Sequence, residues 1–250
     1  MRRISRRLLF TGGAGALGVT VLTTVTGCSS SSSSPSPSAT TTPAETPIAA
    51  ASGAVAGDWR QVKMSFVSAY VLVRGGEAAI VDLGTPGSGS AIEEGLKAAG
   101  SGWSAVKHVI LTHLHNDHVG GLTDAAPKIS GSIYAGSNDL ASIISDKPLK
   151  PLVDGDEVFG LRIVETPGHT LGHISVLEPS TGILIAGDAL RNQGTLQGSA
   201  PENTTDEAKA AASVRKLAGL DIKAILPGHG EPLTAGAARA LKDLAATMPS

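Results

Sequence analysis

Four short apolar runs in this chain each stop at histidine or aspartate, and that recurrence limits what the chain can become more than any other feature of its 250 residues. Val106–Leu111 runs into Thr112-His113-Leu114-His115-Asn116-Asp117-His118, and Leu161–Glu165 into Thr166-Pro167-Gly168-His169. Ile183-Leu184-Ile185-Ala186 ends in Gly187-Asp188, and Lys223-Ala224-Ile225-Leu226 in Pro227-Gly228-His229. Short aliphatic runs bounded by Gly or Pro read as buried strands. Every strand ends in something polar, which accounts for one such coincidence but not for four that deliver metal-ligand chemistry. Binding sites in α/β sheets gather at the carboxyl ends of strands. The pattern therefore predicts a sheet protein whose site is assembled on one edge from four distant segments.

The rest of the pattern agrees with an α/β (α+β) chain in one domain. Residues 70–73 and 78–83 predict a hairpin around Arg74-Gly75-Gly76, and residues 158–165 and 173–177 two further strands. Ala-rich or periodic stretches predict helices over 90–99, 117–126, 137–145, 205–218 and 235–246. No internal repeat is visible.

Cys28 is the only cysteine, so a thiolate-rich metal site and an intramolecular disulfide are both excluded. Any ion must be held by imidazole and carboxylate, which zinc accepts. His113 and His115, two apart in an extended stretch, point to one side of the chain and can share an ion. Asp117 and His118 follow in a different backbone conformation, a helix start, and face a neighbouring position. A second ion is the natural consequence.

The segment Thr112 to Gly121, reading T-H-L-H-N-D-H-V-G-G, resembles the H-x-H-x-D-H signature of the metallo-β-lactamase fold superfamily. Val81-Asp82-Leu83-Gly84, Thr166-Pro167-Gly168-His169-Thr170, Ala186-Gly187-Asp188 and Pro227-Gly228-His229-Gly230 resemble its other motifs, in order. The resemblance runs from about residue 65 to the C-terminus and implies a four-layer αββα sandwich. It also implies one metal held by His113, His115 and His169 and a second by Asp117, His118 and His229, with Asp188 bridging both. Asp82 would stand behind the ligands and orient the histidine loop, support that most metal sites require. The implied cofactor is two Zn2+, with iron or manganese as alternatives. His108 and His173 lie outside these motifs and read as hydrogen-bonded or surface histidines, although His173 could touch a ligand from behind. Asp124, Asp139 and the Asp154-Gly155-Asp156-Glu157 cluster read as helix or turn residues.

The first fifty residues read as an address. Arg2, Arg3, Arg6 and Arg7 precede a Gly- and Thr-diluted apolar stretch, and Ser5-Arg6-Arg7-Leu8-Leu9 resembles the twin-arginine export motif. Val25-Thr26-Gly27-Cys28 resembles a lipobox, in which cleavage before the cysteine accompanies its lipidation. Residues 1–27 are thus expected to be a twin-arginine-type lipoprotein signal peptide. Residues 28–52, mostly Ser, Thr, Pro and Ala, form a disordered tether, and residues 53–250 the catalytic domain. Export and a membrane anchor on Cys28 follow as expectations. An uncleaved anchor is the alternative, since a span needs about 20 apolar residues, but Gly12, Gly13, Gly15 and Gly18 dilute this stretch.

The whole chain has 20 basic and 22 acidic residues, and removing the four N-terminal arginines leaves 16 against 22. Nucleic acid is then a poor partner, because phosphate binding needs a basic face. A small molecule is the expected substrate; oligomeric state is left open. The resemblance implies a bridging hydroxide attacking a small ester, thioester or lactone, with Asp117 orienting it or moving its proton. Asp188 stands where β-lactamases of this fold generally carry cysteine or serine, which favours glyoxalase II-like or lactonase-like chemistry over β-lactam hydrolysis. Only 21 residues follow His229, too few for the helical domain with which glyoxalase II enzymes hold glutathione. Tyr70 and Tyr134 do not match the tyrosine that quorum-sensing lactonases place beside their metals. β-Lactam hydrolysis, a mononuclear iron persulfide dioxygenase and a non-catalytic metal- or solute-binding lipoprotein are the alternatives. Residues 189–203, with Arg191 and Asn192, and the 84–90 turn are expected to border the pocket.

Overall fold

The computed structural model describes residues 53–249; the expected signal peptide (1–27), the expected tether (28–52) and Cys28 lie outside the described residues. The first half of the described chain lays down β1 (Trp59–Met64), β2 (Val67–Arg74), β3 (Glu77–Val81), α1 (Gly89–Ala98), β4 (Val106–Leu111), two short helices α2 (Asn116–Val119) and α3 (Leu122–Ala125), then β5 (Ser132–Gly136) and β6 (Leu149–Leu152). Its six strands make one sheet in sequence order, antiparallel through β3 and parallel from β3 onward. The second half supplies β7 (Glu157–Val158), β8 (Leu161–Glu165), β9 (Ile174–Glu178), β10 (Ile183–Gly187), the small ribbon β11 (Leu190–Asn192) and β12 (Leu196–Gly198), then α4 (Glu207–Ala218), β13 (Ala224–Pro227) and α5 (Ala237–Thr247). Here the order is β13-β10-β9-β8-β7.

Strand alternation creates the layers. On β3, Ala78 and Ile80 face one core, while Ala79 and Val81 face another between the sheets. On β10, Ile183 and Ile185 face that same intersheet core, while Leu184 and Ala186 face outward beneath helices. Every strand with period-2 apolarity on both faces must be covered twice. Helix α1 covers the first sheet with Ile92 and Leu96, one turn apart. Helices α4 and α5 cover the second with Val214, Leu217 and Leu241. The result is the expected αββα sandwich. Truncating a fully buried side chain such as Leu217 to alanine costs about 2–5 kcal/mol. Between the sheets, buried Glu178 on β9 accepts from the Trp59 indole at 2.9 Å and pairs with Arg74, locking the second sheet to β1 and β2.

Three expected elements differ. Residues 158–165 are not one strand: Phe159 and Gly160, both at positive φ, turn the chain between β7 and β8. The helix expected over 117–126 is cut into α2 and α3 at Gly120-Gly121, where the chain runs against Pro86 and the Leu83 carbonyl. Residues 137–145 hold only a single 3-10 turn at Leu140–Ser142, because Asp139 turns inward.

Within the second sheet β8, β10 and β13 all run the same way, with β9 opposed between β8 and β10. Their carboxyl ends thus meet on one edge. Two backbone bonds bring the first sheet to that edge: Ile174 N to Thr112 O at 2.9 Å, and Ser68 N to Gly228 O at 2.9 Å. All four histidine- and aspartate-bearing segments converge there.

Candidate metal centre

The convergence brings seven side chains together. His113, His115 and His169 present ring nitrogens to a common point: His113 Nε2 lies 3.1 Å and His169 Nε2 2.8 Å from His115 Nδ1. Two nitrogens on one tetrahedral zinc, each at about 2.0–2.1 Å from it, would stand roughly 3.3 Å apart. Asp117, His118 and His229 form a second triad, with His229 Nε2 at 3.3 Å from Asp117 Oδ2 and 3.5 Å from His118 Nε2. Asp188 lies between the triads. Its Oδ1 is 3.2 Å from His118 Nε2, and its Oδ2 is 3.1 Å from His229 Nε2 and 3.3 Å from His169 Nε2.

Four of the five rings are held from behind. His118 Nδ1 bonds Asp82 Oδ2 at 2.8 Å, and the same carboxylate accepts from the Thr112 amide at 2.7 Å and the Thr112 hydroxyl at 2.8 Å. Asp82 sits at φ 62°, an unfavourable conformation for a non-glycine residue, and the next residue of its loop donates Leu83 N–H to His118 O at 2.8 Å. His113 Nδ1 meets Thr112 Oγ1 at 3.0 Å, and His229 Nδ1 donates to Phe66 O at 2.9 Å. His169 Nδ1 meets Ser199 Oγ at 2.8 Å, and that hydroxyl in turn meets Thr204 Oγ1 at 2.7 Å.

With those outer nitrogens engaged, the four rings turn their second nitrogens inward toward the Asp188 carboxylate. Asp188 Oδ1 is buried and makes no hydrogen bond. Ring nitrogens and carboxylate oxygens packed this closely need positive charge between them, supplied by protons or by a metal cation, and the pKa shifts of the bare cluster point the same way. Burial alone would lower His118, but Asp188 and Asp82 hold it well above the usual imidazole value. His229 is pushed up to about 10: burial opposes this, and hydrogen bonds to Asp117 and Asp188 outweigh it. Burial drives His113 well below its ordinary value and His169 down to about 4. Asp188 is held well below the carboxylate range, because His118 and His229 overcome its desolvation. A donor set of neutral imidazole and carboxylate, sunk in a site that attracts positive charge, suits zinc.

Two glycines make the approach feasible. Gly187 has φ 52°, and a Cβ there would stand 2.7 Å from His173 Nε2 and 2.9 Å from Thr112 Cβ. At Gly228 a Cβ would collide with Asp188 Oδ1 and stand 2.7 Å from His118 Cε1.

Some positioning residues carry no motif. His173 is buried and no part of either triad; its Nε2 accepts the Asp188 amide at 3.0 Å and its Nδ1 meets Thr166 Oγ1 at 2.8 Å. Burial depresses it to about 3. Asp139, read from sequence as a helix or turn residue, is buried and ties two ligand loops together: it accepts from Leu114 N at 3.1 Å, Thr170 Oγ1 at 2.6 Å and Gly172 N at 2.7 Å. Asp124 and the 154–157 cluster do serve as a helix-start and turn contacts. His108 is remote, packed beside Tyr134 and Phe159, and Tyr70 is buried with its hydroxyl on Pro227 O.

The centre opens into a cavity of about 410 Å³ lined by Phe66, His115, Asp117, His169, Asn203 and His229. Phe66 is 60% exposed at its lip, its ring parallel to His229. The 189–203 loop borders the mouth as expected. The 84–90 turn instead lies behind the histidine loop, with Gly84 O accepting from Gly121 N.

A family model described as the metallo-beta-lactamase superfamily matches residues 62–229. The probable metallo-hydrolase YflN of Bacillus subtilis is 30% identical over 201 residues, covering 62% of this chain and 76% of its own. The hydroxyacylglutathione hydrolase of Acidiphilium cryptum is 34% identical over 166 residues, covering 64% and 63% respectively. Among solved structures, a metallo-beta-lactamase family protein of Thermus thermophilus superposes with a TM-score of 0.61 at 24% identity, over 76% of this chain and 78% of that one.

Proposed function

The chain belongs to the metallo-beta-lactamase superfamily, and from that premise we propose that it is a binuclear zinc-dependent hydrolase of a small ester, thioester or lactone. The observation that carries the proposal is Asp188, one carboxylate within 3.3 Å of ligand nitrogens from both triads. A storage site for a single zinc has no use for such a bridge.

When bound, zinc would supply Lewis acidity and water acidic enough to attack near pH 7. The chain supplies the rest. His113, His115 and His169 would hold one ion, Asp117, His118 and His229 the other, and Asp188 both. The carboxylate of Asp117, 26% exposed on the cavity side of the cluster, is placed to take a proton from the attacking water and return it to the leaving oxygen or sulfur. Phe66 offers an apolar wall at the mouth. The hydroxyacylglutathione hydrolase similarity supports carbonyl-directed hydrolysis, while the chain spans 63% of that relative's length. Rates on ester, thioester, lactone and β-lactam substrates, with Asp188→Ala as control, test the proposal. Hydrolysis that survives both chelation and that substitution would defeat it.

Export and membrane attachment through lipidated Cys28 complete the proposal, supported by the twin-arginine and lipobox-like residues. Among the described residues no helix is long and apolar enough to cross a membrane. The domain's own partner would be a small molecule rather than nucleic acid.

A further inference from the structure

The cavity at the metal mouth shares Asp188, Asn203 and His229 with a smaller one of about 170 Å³, which Arg191 lines. Arg191 also lines a third cavity of about 320 Å³, walled by Ala211, Val214, Leu244 and Met248. One arginine thus stands between the metal mouth and an apolar recess.

Its surroundings leave it unmatched. On β11 its neighbours are committed: Leu190 packs into the core, and Asn192 donates to Glu231 O at 2.8 Å. Strand alternation sends Arg191 to the other face. Its Nε is buried and has no hydrogen-bond partner. Glu202 and Glu207 line the same two cavities, yet among the described residues no carboxylate lies within ion-pair distance of it. A buried guanidinium N–H without an acceptor is costly. The group that answers it best is a carboxylate, whose two oxygens match the planar fork of donors.

We propose that Arg191 binds a carboxylate on the substrate, with the reacting carbonyl on its metal side and an alkyl or aryl arm in the apolar recess beyond. The substrate class narrows to carboxylate-bearing esters, thioesters or lactones. The assignment of a reacting carbonyl rests on the hydrolytic function proposed above; the carboxylate site does not.

Two measurements on the purified full chain separate these. In the first, octanoate is titrated calorimetrically into the native protein, Arg191→Ala and Arg191→Lys, with octanol as the uncharged comparison. Arg191→Ala should weaken octanoate about tenfold or more, Arg191→Lys less, and octanol should show no such dependence. Equal octanoate affinity in native protein and Arg191→Ala, as a carboxylate seated on the metals would give, overturns the proposal, as does no binding at all. In the second, mono-4-nitrophenyl glutarate is compared with 4-nitrophenyl pentanoate, matched in length but uncharged. The rise in KM caused by Arg191→Ala should be about tenfold larger for the glutarate, expressed in KM more than in kcat; equal losses on both overturn it. If neither ester is hydrolysed, the hydrolytic function fails, and the octanoate titration alone decides the role of Arg191.

Discussion

The backbone N–H of Asp188 donates to Nε2 of His173 at 3.0 Å, so the carboxylate that touches both triads is held by a histidine that belongs to neither. The other ring nitrogen meets Thr166 Oγ1, which meets Ser175 Oγ, which donates to Ala186 O two residues before Asp188. The loop is tied at both ends. His173→Leu leaves a buried N–H without an acceptor, a cost of about 1–3 kcal/mol. Loss of such support typically lowers metal affinity about 10–100-fold. Chelator competition should show that loss for His173→Leu and a smaller one for His173→Gln, which keeps an acceptor. Native metal affinity in His173→Leu would remove this role.

Metal uptake must expel protons. In the bare cluster His229 titrates at about 10 and His118 well above the ordinary imidazole value, so both are protonated at pH 7, whereas a ligating imidazole is neutral. Calorimetric heats of zinc binding to stripped protein should therefore depend on the ionisation enthalpy of the buffer, with protons released, and apparent affinity should fall as pH falls. The stripped protein has the opposite slope. Folded values raised above the unfolded value of about 6.5 stabilise it below that pH, and the stabilisation is lost as pH rises toward 10. Its melting temperature should decline across that window. Heats independent of buffer would contradict the protonated cluster.

The site was legible in sequence because its donors lie in local runs. His113 to His118 arrive together, and His169, Asp188 and His229 each follow a Gly at a strand end. The layers were legible for a similar reason, since β3 and β10 alternate apolar residues on two faces. What sequence does not write is which lone polar residue will be buried. Asp139 stands in no motif, and only the folded loops place Leu114 N, Thr170 Oγ1 and Gly172 N around it. Ser199 reaches His169 from thirty residues away with no local signal. For His173 the signal was its position shortly after His169 and at the start of an expected strand. The turn at Phe159-Gly160 was readable from its glycine.

The proposed attachment to the membrane depends on one atom, Sγ of Cys28. Cys28→Ala should move the protein from the membrane fraction to the soluble exported fraction, and Arg6→Lys with Arg7→Lys should keep it inside the cell. A Cys28→Ala variant that still pellets with membranes would rule out the lipid anchor.

The proposed chemistry requires a paired metal centre, so the most direct measurement is zinc content per chain after loading and exhaustive dialysis. Two equivalents are expected for the native protein and at most one for Asp188→Ala. Retention of none by the native protein, or the same content in both, would contradict it.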